Sequence, residues 1–229
     1  MKKLHSWDLS YSQARECQRN LASRVRFTPL KNPPELICGI DCAFSKDGKK
    51  IFAAVVVLKP PDFAVIETAS AVRKVTFPYI PGLLSFREAP VCIAAVEKLK
   101  SKPDVFIIDG QGIAHPRRLG IAAHLGLFFD KPTIGCAKSR LTGVYEEPGL
   151  EKGAYKLLKD KKGTPNTQSE TIGAVLRTRT NVKPVFVSVG NKCLLKDAIE
   201  ITVACAVKYR LPEPTRLAHQ LVSELKLKI

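Results

Sequence analysis

A single α/β domain built on one mixed sheet is the fold class that this sequence predicts. Three observations carry the prediction. Three apolar runs separated by turn signals lie near the N-terminus, apolar strands then alternate with helix-period segments, and the length suits one core. The chain has 229 residues, of which 45% are hydrophobic, enough to bury one large interior. The domain is expected to span 1–229, with a Lys-rich surface excursion at about 145–169.

The elements follow in order. A polar, Arg-rich helix is expected over 10–27 with Ser10 as its cap, broken by Pro29, Pro33 and Pro34. Strands at 36–44, 51–58 and 63–76 are separated by Asp47-Gly48 and Pro60-Pro61-Asp62, which reads as an antiparallel meander. A rigid turn, Pro78-Tyr79-Ile80-Pro81-Gly82, leads into a helix over 84–100 that ends before Pro103. Strand 104–109, a Gly-rich loop, helix 117–128 and strand 132–137 come next. From here the alternation predicts parallel pairing through crossover helices. Strands 170–178 and 184–189 then precede helices at 195–208 and 213–226, the last marked by Pro212 and Pro214.

Lys and Arg outnumber Asp and Glu by 37 to 21, a net charge of +16. Such an excess points to nucleic acid, through phosphate neutralisation and counterion release. An anionic membrane surface would also attract it, but no basic amphipathic helix stands out. No apolar stretch approaches the ~20 residues of a membrane span. The first residues lack the apolar core of a secretion signal. The seven cysteines form no Cys-x-x-Cys pair, and Cys38, Cys42, Cys92, Cys136, Cys193 and Cys205 sit in apolar contexts that suit small buried side chains. A cytoplasmic location with reduced thiols is the expectation.

Asp41 and Asp109 carry the chemistry. Each lies in or at the end of an apolar run that reads as a buried strand, where a carboxylate costs several kcal/mol unless a cation or hydrogen bonds compensate. Glu88 lies in the first turns of helix 84–100. The three supply hard oxygen ligands without a sulfur set, which selects Mg²⁺ or Mn²⁺ over Zn²⁺. Such ions stabilise phosphoryl charge and deprotonate water for phosphodiester cleavage. Helix caps or Arg pairs are the plainer alternative for each carboxylate. His115 follows the loop Asp109-Gly110-Gln111-Gly112, where glycines allow close backbone approach; the third glycine of a dinucleotide fingerprint is missing. His124 and His219 each read, on their own, as core histidines, and His5 carries no signal. Lys138 ends a strand and shares an edge with Asp109 if the two strands are parallel. The loop of Pro78, Tyr79, Ile80 and Pro81 is either a stiff wedge for parting bases or a buried connector.

At these residues the chain resembles endonuclease V, the deoxyinosine-directed repair nuclease. The matching stretches are Gly39-Ile40-Asp41, Pro78 to Glu88, Asp109 to Gly120, Pro132 to Leu141 and Tyr209 to Arg216. The resemblance implies a ribonuclease H-like fold and a Mg²⁺-dependent cut (Mn²⁺ as substitute) on the 3′ side, one nucleotide beyond deoxyinosine. By the resemblance, Asp41 and Asp109 would hold the metal, with Glu88 and His219 acting through metal-bound water or on the nucleophile. Lys138 would lie at the scissile phosphate, His115 beside the reaction centre, and Tyr79 would be the wedge. The base would enter a pocket around Gly82, Leu84, Gly110, Gly120 and Ile121, whose backbone can separate hypoxanthine from adenine at O6, N7 and N1. The expected partner is DNA containing deoxyinosine, the expected state a monomer. Inosine-containing RNA is the nearest alternative, and a non-catalytic binder of deaminated strands the more distant one. Many relatives carry Gly-His where this chain has Gly190-Asn191. No match is assigned to the excursion at 145–169; Lys159, Lys161 and Lys162 would add affinity if it touches the backbone.

Overall fold

The computed structural model describes residues 1–160 and 169–227. Helix α1 (Tyr11–Ala22) precedes a meander of β1 (Ile37–Phe44), β2 (Lys50–Lys59) and β3 (Ala64–Lys74). Then follow α2 (Leu84–Val96), β4 (Val105–Ile108), α3 (Ile121–Phe129), β5 (Thr133–Ala137), β6 (Tyr155–Lys159), β7 (Thr171–Leu176), β8 (Val185–Asn191), α4 (Leu195–Cys205) and α5 (Glu213–Leu227). One eight-stranded sheet runs in the order β3-β2-β1-β4-β5-β8-β7-β6. This is the mixed sheet flanked by helices that the sequence predicts.

Local chemistry explains the elements. Ser10 caps α1 in a capping box with Gln13, satisfying two amides that a helix start leaves open. Parallel pairing holds for β1 with β4 and β4 with β5, each joined through a helix as a crossover requires. It stops there: β5–β8, β8–β7 and β7–β6 are antiparallel. Among the described residues no helix lies between β6, β7 and β8, and these strands fold back on one another. The expected excursion at 145–169 thus contributes an edge strand, β6, whose Leu158 is buried. Lys161 and Lys162 lie outside the described residues. Helix α3 starts four residues later than the periodicity predicts, because His115 to Gly120 turn through a loop with Arg118 at φ 58°. All seven cysteines are free. Among the described residues no helix is long and apolar enough to cross a membrane.

Strand alternation sets the faces. Ile37, Val105 and Ile107 join one core cluster, while Cys38, Ile40, Phe106 and Ile108 join another against α2 and α3. With Ile40 level with Ile108, the period of two sends Asp41 and Asp109 to the first face, side by side. Helix α5 packs on that face. A Cβ at Gly39 would stand 2.0 Å from the Pro214 carbonyl carbon and oxygen, so only glycine lets α5 come this close to β1.

A Gly39→Ala variant is therefore expected to push the start of α5 away from the sheet. Overpacking of this kind costs about 1–3 kcal/mol, which lowers the melting temperature by roughly 5 °C in a chain of this size. Thermal unfolding checks it; an unchanged melting temperature would show that α5 is not seated through this contact.

Candidate functional site

Asp41 lies in the middle of β1, and Asp109 is the first residue after β4. The Asp109 N–H donates to the Ile40 carbonyl (3.1 Å), continuing the parallel ladder and fixing the two carboxylates as neighbours. Helix α5 brings His219 across them, with Nδ1 2.6 Å from Asp41 Oδ2. Lys138 leaves β5, the next parallel strand, and its Nζ pairs with Asp109 Oδ2. One ligand atom from each of Asp41, Asp109 and His219 lies within 4.8 Å of the others. Among the described residues no other trio of His, Cys, Asp and Glu converges so closely.

The electrostatics call for a cation. Burial, and then the field of Asp109, raises the Asp41 pKa against the opposing bonds from His219 and Cys42 N–H. Glu88 is buried on α2 and pushed up to about 7, by burial first, with Asp41 and Asp109 adding to it. Burial disfavours the Lys138 charge, but the bond to Asp109 and the two carboxylates outweigh it and raise its pKa. Three carboxyl groups with one lysine among them leave room for a hard divalent ion. Two carboxylates and an imidazole fit Mg²⁺ or Mn²⁺, and no thiol belongs to the set. Read alone as a core residue, His219 is a correction: its side chain is 54% exposed, as a residue serving the site from the solvent side must be.

Beside this centre opens a cavity of about 400 Å³. All five residues expected to form a base pocket, Gly82, Leu84, Gly110, Gly120 and Ile121, line it, and so do Asp109 and Lys138. Tyr79, Ile80 and Pro81 line it too, while Pro78 does not. Tyr79 is 68% exposed, which excludes the buried-connector reading of its loop. Two helices begin here, α2 after Leu83 and α3 after Gly120, and neither has a side-chain cap. Phe86 N–H is taken by the Leu83 carbonyl and Ala122 N–H by that of Gln111, which leaves the amides of the lining residues Leu84, Ser85 and Ile121 as the helix-start donors nearest the cavity. Gly82 adopts φ +79°, a left-handed conformation suited to glycine.

His115 stands on the cavity wall. The Arg117 N–H donates to His115 Nδ1 (3.1 Å), so the ring proton is on Nε2, which donates to the Gly82 carbonyl (3.1 Å). Burial, with the Arg117 charge beside it, lowers its pKa to about 4. His124 is the core histidine expected: its ring lies 3.1 Å from Ser85 Oγ and 2.8 Å from His5 Nε2. His5 therefore has a packing role that its terminal position concealed. Asn191 is structural, accepting from Arg26 N–H and donating to the Gly126 carbonyl, both at 3.0 Å. Sequence reading missed Gln18, Ser85, Gln111 and Arg140, which also line the cavity. Gln18 had a signal: it is the one polar residue on the stripe Ala14, Gln18, Leu21, Val25.

Comparison with known proteins gives a consistent result. The model of the family described as Endonuclease V matches residues 19–220. An endonuclease V of Methanothrix thermoacetophila is 50% identical over 220 residues, covering 96% of this chain and 94% of that protein. The crystal structure of endonuclease V from Streptomyces avermitilis superposes with a TM-score of 0.90 at 40% identity, covering 97% of this chain and 96% of that one. The endonuclease V of Ciona intestinalis, in complex with a 24mer DNA containing an inosine followed by a ribo-adenosine, superposes with a TM-score of 0.80 at 26% identity, covering 95% and 98%.

The buried imidazoles generate a pH dependence. His115 and His124 titrate at about 4 and about 3 in the folded chain, against an ordinary value of 6.5. Unfolding thus takes up protons below about pH 6.5, and their contribution to stability is lost as pH falls toward 4. The raised Glu88 carboxyl acts in the opposite sense, favouring the folded state at low pH. Comparison with a His124→Asn variant separates the two. Denaturant unfolding from pH 7 to 4.5 is expected to show a smaller acid loss in the variant; parallel curves would show that His124 is not held neutral.

Proposed function

This chain belongs to the endonuclease V family, and from that premise we propose that it is a Mg²⁺-dependent endonuclease. It recognises deoxyinosine in DNA and cuts the strand on the 3′ side, one nucleotide beyond the lesion, with residues 1–229 acting as one catalytic domain. The observation that carries this reading is that the carboxylate centre and the purine-sized cavity share Asp109 and Lys138. A base held in the cavity keeps its own backbone within reach of the metal ligands.

Each residue has a role that its placement supports. Asp41 and Asp109 would hold the divalent ion, with His219 close beside them. When bound, the ion supplies positive charge at the phosphoryl oxygens and makes a water a better nucleophile. His219, half-exposed and bonded to Asp41, is placed to accept a proton from that water. Glu88, outside the tight trio but raised by its field, acts through a bound water. Lys138 offers its ammonium to the scissile phosphate. Tyr79, exposed at the cavity mouth, fills the gap left by the extruded base, worth about 1–3 kcal/mol of stacking. Amides at the starts of α2 and α3 donate to hypoxanthine O6 and N7, where adenine would present an amino donor at position 6.

The Ciona intestinalis complex, whose strand carries a ribo-adenosine after the inosine, favours a second reading: this site also accepts inosine in RNA. A 2′-hydroxyl beside the cut needs only a few added contacts.

Strands of DNA, RNA and the hybrid, each with one inosine, distinguish the two readings. The wild type with Mg²⁺ is expected to nick the deoxyinosine strand once, at the second phosphodiester on the 3′ side, and Asp41→Ala to lose more than roughly 100-fold of that rate. Equal cutting by both proteins, or cutting independent of inosine, would contradict the proposal.

A further inference from the structure

Helix α1 contributes a side chain whose position has a consequence for base selection. Gln18 is 1% exposed, and a buried amide is costly unless both its ends are satisfied. Its Nε2 donates to the carbonyls of Gly82 (3.1 Å) and Leu119 (2.6 Å). Its Oε1 accepts from Arg117 Nε. Two carbonyls at one end and an N–H at the other fix which atom is nitrogen.

These two carbonyls are not arbitrary. Gly82 immediately precedes Leu83, which caps α2, and Leu119 immediately precedes Gly120, which caps α3. Each peptide is also held at its other end: Leu83 N–H donates to Ile80 O and Gly120 N–H to Gly112 O, both at 2.9 Å. The Gly82 carbonyl takes further bonds from Arg117 Nη2 (2.6 Å) and His115 Nε2 (3.1 Å). Both peptide planes are therefore pinned, and the two hydrogens of a single amide nitrogen bridge their carbonyls directly. The gap between the helix starts that flank the cavity is thus spanned by that group, with His115 and Arg117 tying the α3 side to Gly82 as well.

We propose that Gln18 is a positioning residue for base recognition, gauging the width of the slot between the α2 and α3 N-termini so that it grips a hypoxanthine and excludes wider or differently bonded purines. The inference rests on the reading of this cavity as the inosine pocket. Gln18 touches neither the metal ligands nor the scissile phosphate; its effect runs through the Gly82 and Leu119 peptides. A slot without this tie relaxes, and the amide donors lose their spacing.

The test uses the full chain with Gln18→Met and the isosteric Gln18→Glu. Ionised beside Arg117, glutamate keeps the acceptor but cannot donate to either carbonyl, so it preserves volume while removing the tie. Thermal unfolding first establishes that each variant folds; the matched volume of glutamate makes it the fallback if methionine does not. Binding to strands carrying one inosine, guanosine or adenosine is then measured with Ca²⁺, and cleavage kinetics with Mg²⁺. We expect the preference for inosine over both other bases to fall tenfold or more. Binding of the adenosine strand should change less than twofold, and KM on inosine should rise more than kcat falls. A purely structural role would weaken all three strands alike or lower only the melting temperature. A folded variant with wild-type discrimination overturns the proposal while leaving the pocket reading intact. A wild type that shows no preference for inosine overturns the pocket reading itself.

Discussion

Two carboxylates held side by side by the parallel pairing of β1 and β4 are what the rest of this site depends on. Asp41 and Asp109 cannot move apart, because the ladder bond from Asp109 N–H to the Ile40 carbonyl fixes their strands. Asp41 is buried, so burial and then the Asp109 charge beside it raise the cost of charging it. Lys138 and His219 offset part of that cost from one strand over and from the helix above. Further positive charge is what the arrangement lacks, and a divalent ion would supply it. Stability alone would have been better served by apolar residues at these positions. The conflict is resolved only by function.

In the proposed function, the recognition half of the site uses backbone where the catalytic half uses side chains. Two helix starts without side-chain caps meet at one cavity, so the groups best able to read a purine edge are amides whose positions the fold dictates. That places the burden of specificity on whatever holds those peptides still. Gln18, Arg117 and His115 do so, converging on the Gly82 carbonyl. Glycine at position 82 is part of the same design, since its φ of +79° turns the stiff Tyr79 loop into α2.

Much of this was legible in the sequence, for identifiable reasons. A lone acid in an apolar run announces a cost that must be met, so Asp41 and Asp109 stood out from pattern alone. Glycines and prolines marked the Tyr79 loop and the turns of the meander. Other features required the third dimension. His219 looked like a core residue because its neighbours Leu217, Ala218 and Val222 are apolar, yet the face of α5 that carries it looks outward over β1. Strand β6 was hidden by its own composition: Tyr155 to Lys159 is mostly charged or exposed, as an edge strand can be. The antiparallel return of β7 and β8 depends on loop direction, which periodicity does not encode. Gln18 and Asn191 are buried polar groups whose partners lie 64 to 165 residues away, so no local window could reveal that they are satisfied.

The account requires one ion and one extruded base to share the Asp109 edge. A crystal structure of the protein with an inosine-containing strand, collected at the manganese absorption edge after soaking in Mn²⁺, tests this directly. The expected result is an anomalous peak between the carboxylates of Asp41 and Asp109, with hypoxanthine seated between Gly82 and Gly120. A peak at other ligands, or a base stacked in the strand outside the cavity, would contradict it.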